Sequence, residues 1–275
     1  MSGAVPAEYQ FQIGAISDVG SKREQNEDHC GYAVVEPTTC IVAVADGVSG
    51  YEGGAVASQM AIDVMLRAYH EQPATVRTIK RLYRAVQQAN IEIYDKAVVV
   101  PELRSMATTL TAIVIARGEL IAAHVGDTRL YRVRDGQITQ LTKDHTVAAE
   151  RARLGLLSDQ EARTHPERST LTRSVGRQLI VSIDQLTTEL EHDDVVLVCS
   201  DGLYNTLADA EMRDVVRDLE APLACRALID RANERGSHDN VTAAVVRMTG
   251  HIPARARPDG LVGKLRRLFV AGAFA

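Results

Sequence analysis

Apolar and polar positions along the chain follow two different periods. Residues 10 to 17, 31 to 35 and Cys40 to Ala45 are short apolar runs between turn-forming residues, the last ending in Asp46-Gly47, and they predict a β-rich start. From Gly53 the period changes. Ala57, Met60, Ala61, Val64, Met65 and Ala68 recur at helical spacing and mark one face of a helix. A second helix is predicted between Thr75 and about Val98, with Ile79, Leu82, Tyr83, Val86, Ile93 and Ala97 on one stripe. Adjacent in sequence, the two are expected to pack as a hairpin on one sheet.

After Pro101, residues Thr108 to Ala116, Leu120 to Val125 and Arg129 to Arg134 read as strands punctuated by Arg117-Gly118 and Gly126-Asp127, and Asp135-Gly136 closes a further hairpin. Residues 146 to 177 are polar and weakly patterned, with no room for a core strand, and read as an inserted flap. Val195-Val196-Leu197-Val198-Cys199 is apolar throughout, as a strand buried on both faces requires, and is expected at the centre of a sheet. Helical patterns at 208 to 218 and 221 to 235 follow, the second with Pro222 near its start and Gly236 at its stop. Val241 to Met248 supplies a last strand. Strands, two helices, strands, two helices and a strand predict an α+β fold with helix pairs covering sheet faces.

Composition narrows the function more than the fold. The 275 residues are 45% apolar, enough for a folded domain, and 31 Lys+Arg against 36 Asp+Glu leave a net charge of −5. Such a chain lacks the positive field that draws a protein onto nucleic acid, so nucleic acid is not an expected partner. Cys30, Cys40, Cys199 and Cys225 show no C-x-x-C pairing and are expected to be reduced. No apolar run approaches the ~20 residues of a membrane span, and the first residues lack a signal-peptide pattern, so a cytoplasmic protein is expected. Residues 1–9 read as an extension, 10–250 as one domain, and 251–275 as a tail in which Leu261, Leu265, Leu268 and Phe269 oppose Lys264, Arg266 and Arg267. The tail reads as a terminal helix or frayed end, with a surface anchor as the alternative.

Four aspartates stand at strand ends: Asp46, Asp127, Asp201 and Asp239. A lone Asp before Gly is ordinarily a turn. Four partly desolvated carboxylates on one rim of a sheet are different, because they repel unless a hard divalent ion sits between them. Two such ions ~4 Å apart polarise a phosphoryl group and activate a water, so metal-assisted phosphoester hydrolysis is the indicated reaction class.

Arg23-Glu24-Gln25-Asn26-Glu27-Asp28, Ala45-Asp46-Gly47-Val48-Ser49-Gly50, Thr108-Thr109-Leu110, Gly126-Asp127-Thr128-Arg129, Ser200-Asp201-Gly202-Leu203 and Asp239-Asn240-Val241-Thr242 occur in an order and spacing that resembles the bacterial metal-dependent Ser/Thr phosphatases of the PP2C (PPM) family, over about residues 10 to 248. The resemblance implies a four-layer αββα sandwich of two antiparallel sheets flanked by helix pairs, and two tightly bound Mn²⁺ or Mg²⁺ ions with a third. Asp46 would bridge the pair, Gly47 would lend its carbonyl, and Asp201 and Asp239 would ligate the other ion. Asp127 and Asp201 would form the third site. Glu27 and Asp28 would hold metal-bound waters, and Asn240 would orient a neighbouring ligand. Arg23 would grip the substrate phosphate with its planar fork. A metal-bridging water would hydrolyse phosphoserine and phosphothreonine on proteins, opposing a Ser/Thr kinase, in a monomeric enzyme.

The chain departs from the family pattern where Val48-Ser49 replaces Met-Gly and where Ala107 replaces Gly, and neither change removes a ligand. Val48 also stands where eukaryotic relatives carry His. His145 and His165 are candidate proton donors, although each reads more simply as a satisfied surface histidine. Cys225 and Arg231 share the C-x₅-R spacing of thiol phosphatases, but the intervening residues hold no glycine and read as helix. An inactive member kept as a binding or regulatory module is the alternative, and degenerate metal acids would mark it; all of them are present.

Overall fold

The computed structural model describes residues 11–36, 38–48 and 53–249. In chain order these form β1 (Phe11–Asp18), β2 (Asp28–Glu36), β3 (Thr39–Asp46), α1 (Gly54–Glu71), α2 (Thr78–Val99), β4 (Leu110–Ala116), β5 (Glu119–Val125), β6 (Arg129–Arg134), β7 (Gln137–Gln140), α3 (Val147–Arg153), α4 (Asp159–Thr164), β8 (Asp184–Glu189), β9 (Val195–Cys199), α5 (Asp201–Tyr204), α6 (Asp209–Asp218), α7 (Ala221–Glu234) and β10 (Val241–Met248). Two antiparallel five-stranded sheets result, in the orders β1-β10-β9-β6-β7 and β2-β3-β4-β5-β8.

Three apolar layers hold four structural layers together. Ala61, Met65, Leu82, Val86 and Ile93 of α1 and α2 pack on Ile41, Ala43, Ala112 and Val114 of the second sheet. Met212, Val216, Cys225 and Leu228 of α6 and α7 pack on Leu197, Cys199, Ala243 and Val245 of the first. Between the sheets lie Val42, Val44, Ile113, Ile115, Val196, Val198, Ala244 and Val246. Strand β9 shows why its sequence is apolar throughout: Val195, Leu197 and Cys199 face the helices while Val196 and Val198 face the other sheet, and all five are buried. Each such side chain contributes on the order of 1.5–3 kcal/mol by leaving water. The strand is central, as its composition predicts.

The Arg117-Gly118 and Asp135-Gly136 pairs all have positive φ, between 49° and 78°, the backbone that two-residue hairpins need to match strand twist. Two elements differ from the expectation. Strand β8, Asp-Gln-Leu-Thr-Thr-Glu, carries no apolar signal because it is a sheet edge paired only with β5 and no more than half-buried. Region 146 to 177 holds no named strand, but it is not structureless: α3 and α4 are short helices started by Thr146 and Ser158, whose side chains accept from Ala149 and Glu161 N–H groups. Among the described residues no helix is long and apolar enough to cross a membrane, and all four cysteines are free. The 1–9 extension and the 251–275 tail lie outside the described residues.

Candidate active site

Antiparallel pairing brings the acids to one rim. Asp46 ends β3 and is paired in register with Asp28 at the start of β2, Asp127 follows β5, Asp201 follows β9, and Asp239 precedes β10. Asp46, Gly47, Asp127, Asp201 and Asp239 line one cavity of about 650 Å³ together with Arg23, Arg173 and Arg177. A second cavity of about 1000 Å³, walled by α3, α4 and α6 residues, reaches Asp127 and Asp201 as well.

Glycine at positions 47 and 202 answers to close approach rather than to a left-handed turn, since neither has positive φ. A Cβ on Gly202 would lie 2.0 Å from the Asn240 carbonyl oxygen, and one on Gly47 would lie 2.5 Å from the Gly54 backbone and 2.7 Å from the Glu27 oxygen. The Asp201-Gly202 turn therefore presses directly on Asp239-Asn240, and Ser237 Oγ locks the contact by donating to the Gly202 carbonyl at 3.1 Å. Gly126 does need its φ of +108°, and its backbone lies against Thr109. Thr109 Oγ1 in turn accepts from the Asp46 N–H at 2.9 Å, while Thr109 N–H donates to the Asp46 carbonyl at 2.8 Å. Ala107, in place of a glycine, is buried, its carbonyl accepting from Val48 N–H at 3.0 Å.

Electrostatics mark the cavity as a site for cations. Burial, then the charges of Asp28, Asp201, Asp127 and Asp239, push the Asp46 carboxyl well above its usual range. Burial followed by Asp239 and Asp28 pushes Asp201 up to about 7. Asp127 is raised by burial, then by Asp201 and Asp144. Arg23 is committed to Asp239 at 2.9 Å and Arg173 to Asp184 at 2.8 Å, so the first three acids keep no ion-paired arginine or lysine among the described residues. No three described His, Cys, Asp or Glu side chains converge closely enough to enclose an ion by themselves. That donor set suits Mg²⁺ or Mn²⁺, which retain several waters and accept a backbone carbonyl, rather than a Zn²⁺ cage.

The other expected residues occupy distinct places. Asp28 lies behind the cavity wall, its Oδ2 accepting from Ser200 Oγ at 2.6 Å and Thr242 Oγ1 at 2.7 Å; burial outweighs these bonds and raises it to about 6. The Glu27 carboxylate lies against the start of α1, where a Cβ on Gly54 would come within 2.7 Å of it. Asn240 braces the loop bearing Arg23: its Nδ2 donates to the Val19 and Gln25 carbonyls and its Oδ1 accepts from Glu27 N–H. His145 is not a surface residue. It is 4% exposed, and its Nδ1 accepts from Gly126 N–H at 3.0 Å, so it braces the turn that carries Asp127. Burial and Arg173 lower its pKa against the opposing pull of Asp184. His165 is half-buried and bonded to Arg151 and Glu167. Sequence reading also missed Tyr204, which donates to the Asp127 carbonyl at 3.1 Å and lies under the Arg129 guanidinium at 3.6 Å, and Asp144, which binds Arg129. No local pattern signals these long-range polar contacts. Cys225 is buried in α7, in a core layer outside the cavity lining, and burial pushes its thiol up to about 12, which removes it as a nucleophile.

The protein phosphatase 2C family model matches residues 20–239. A serine/threonine phosphatase stp from Listeria innocua is 35% identical over 235 residues, covering 84% of this chain and 93% of that protein. The crystal structure of the Mycobacterium tuberculosis serine/threonine phosphatase PstP/Ppp superposes with a TM-score of 0.79 at 33% identity, over 87% of this chain and 99% of that one. A PstP catalytic domain solved with two manganese ions gives a TM-score of 0.77 at 31% identity, over 87% and 99% of the two chains. Six motifs in register, two helix-flanked sheets and one acid-lined rim thus converge on a single conclusion: the chain belongs to the protein phosphatase 2C family and is a bacterial-type protein serine/threonine phosphatase.

Proposed function

We propose that the chain hydrolyses phosphoserine and phosphothreonine on proteins in a reaction that needs Mn²⁺ or Mg²⁺, and that it opposes a Ser/Thr kinase. The observation that carries this reading is the set of four aspartates, Asp127 buried and Asp46, Asp201 and Asp239 partly buried, that line one cavity with Arg23. Asp46, the Gly47 carbonyl, Asp201 and Asp239 would hold a pair of ions, with Asp127 and Asp201 serving a third. When loaded, such a site would supply charge neutralisation of the acids, polarisation of the phosphoryl group and a more acidic water. That a PstP catalytic domain 31% identical to this chain was solved with two manganese ions supports a two-ion requirement.

The chain's own groups do the positioning. Arg23 presents a planar guanidinium to two phosphate oxygens, and its bond to Asp239 sets where that fork stands. Asp28, fixed by Ser200 and Thr242, supplies a rigid acceptor behind Asp46. Thr109 holds the Asp46 backbone in place. Val48 carries no proton to give, so the leaving alkoxide takes its proton from another donor.

Turnover of a phosphoserine peptide with defined metals tests the proposal. Chelation should abolish activity, re-addition of Mn²⁺ should restore it, and Asp46→Asn should remain inactive in saturating Mn²⁺. Full turnover by the chelated enzyme would overturn the metal assignment.

A further inference from the structure

Residues 176–181 form no helix or strand, yet their backbone is fastened to α2. Asn90, fully buried on that helix, accepts through Oδ1 from the Gly176 N–H at 2.8 Å and donates through Nδ2 to the carbonyls of Gln178 at 2.9 Å and Leu179 at 3.0 Å. One turn earlier, Gln87 Nε2 donates to the Val181 carbonyl at 2.8 Å. Gly176, at φ +90°, lies so close to α2 that a Cβ would stand 2.3 Å from Ile93 Cγ2. A buried amide is tolerated when its donors and acceptor are all used, and Asn90 uses them on one loop.

What this clamp fixes is a wall of the catalytic cavity. Arg177, Gln178, Val181 and Ser182 line the same space as Asp46, Asp127, Asp201 and Asp239. Just before the loop, Val175 exchanges both backbone hydrogen bonds with Thr108, whose Oγ1 donates to the Asp46 carbonyl at 2.9 Å. The wall is thus held in register with the principal acid from one end and with α2 from the other. It offers hydrogen-bond donors and apolar surface and no carboxylate, a complement to polypeptide rather than to cations. Leu179 and Ile180 stand 52% and 75% exposed on the same loop.

We propose that the loop 176–182 reads the polypeptide flanking the phosphorylated residue, and that Asn90 is the positioning residue that sets it. The inference rests on the phosphatase reading of the cavity given above. An aryl phosphate carries no flanking polypeptide, so the two substrate classes separate the roles.

Steady-state kinetics of Asn90→Ala and Gln87→Ala in saturating Mn²⁺, on a phosphoserine peptide and on p-nitrophenyl phosphate, test it. Peptide KM should rise about tenfold for Asn90→Ala and about threefold for Gln87→Ala, as loss of buried hydrogen bonds to the loop predicts. Aryl phosphate kcat should stay within about twofold, since a loop that contacts only flanking polypeptide leaves the small substrate's transition state intact. Gln88→Ala, on the exposed face of α2, should alter neither substrate. Gln87 is only half-buried, so its variant reports even where Asn90→Ala folds poorly. Unchanged peptide KM, or an equal loss on both substrates, would overturn the proposal and leave Asn90 a folding residue. Wild-type protein inactive on both substrates would instead overturn the site reading itself.

Discussion

At the scale of single residues, charge placement separates roles that composition leaves merged. Arg23 is about one-third exposed and already ion-paired with Asp239. A fork in that position meets phosphate charge present in the ground state, so Arg23→Ala should raise KM more than it lowers kcat. A large fall in kcat at constant KM would place Arg23 in the transition state. Asp127 sits on a different hairpin from Asp46, and its backbone turn is held by His145 and Tyr204; among the described residues its carboxylate forms no ion pair, although the Arg129 charge acts on it. Asp127→Ala should therefore leave two tightly bound ions by calorimetric titration. It should slow a phosphopeptide, whose alkoxide leaving group needs a proton, more than an aryl phosphate, whose phenolate does not. Loss of a tight ion, or equal slowing of both substrates, would move Asp127 into the principal pair.

Elements were legible where burial imposed a period, and illegible where partners lay far off in sequence. Helices α1 and α2 follow from apolar spacing because each buries one face against a sheet, and β9 from its unbroken apolar run because both its faces are packed. Strand β8 was silent because an edge strand owes its existence to the β5 backbone, not to its own side chains. The rim acids were readable as a set, since each flanks a strand whose apolar run is plain. The braces His145, Tyr204, Asp144 and Asn90 were not, because each meets a partner in another element and belongs to no local repeat. Cysteine placement gives an element-scale prediction. Cys225 packs with Leu228 and Val245 in the layer under α7, so Cys225→Ser should leave turnover per folded molecule unchanged. It should also lower the melting temperature by burying a hydroxyl in an apolar layer. A thiol route would instead show as loss of activity at full stability.

For the whole molecule, the rim couples metal binding to stability and to pH. Asp201, raised from 3.8 to about 7, and Asp46, also pushed well above its usual range, bind protons in the folded metal-free protein at a pH where the unfolded chain has already released them. The native state then binds more protons, so stability from these groups is present at low pH and is lost as pH climbs through their folded values. His124 works in the opposite sense: buried, it is lowered to about 4, so its contribution is lost as pH falls below 6.5. From about pH 6.5 upward the histidine contribution levels off, and below about pH 8 the buried thiols are still protonated in both states, so the acids set the slope between these limits. The melting temperature of metal-free protein should therefore fall between about pH 6.5 and about pH 7.5, the upper end of the Asp201 window, as the carboxylates are forced to ionise beside one another. Mn²⁺ should reverse that trend, because the ion binds the ionised acids and its stabilisation grows with their deprotonation. Asp201→Asn removes one of the titrating groups and should flatten the metal-free slope. A metal-free melting curve independent of pH over this window would show that the acids do not share one field, and would remove the physical basis for placing the ions among them.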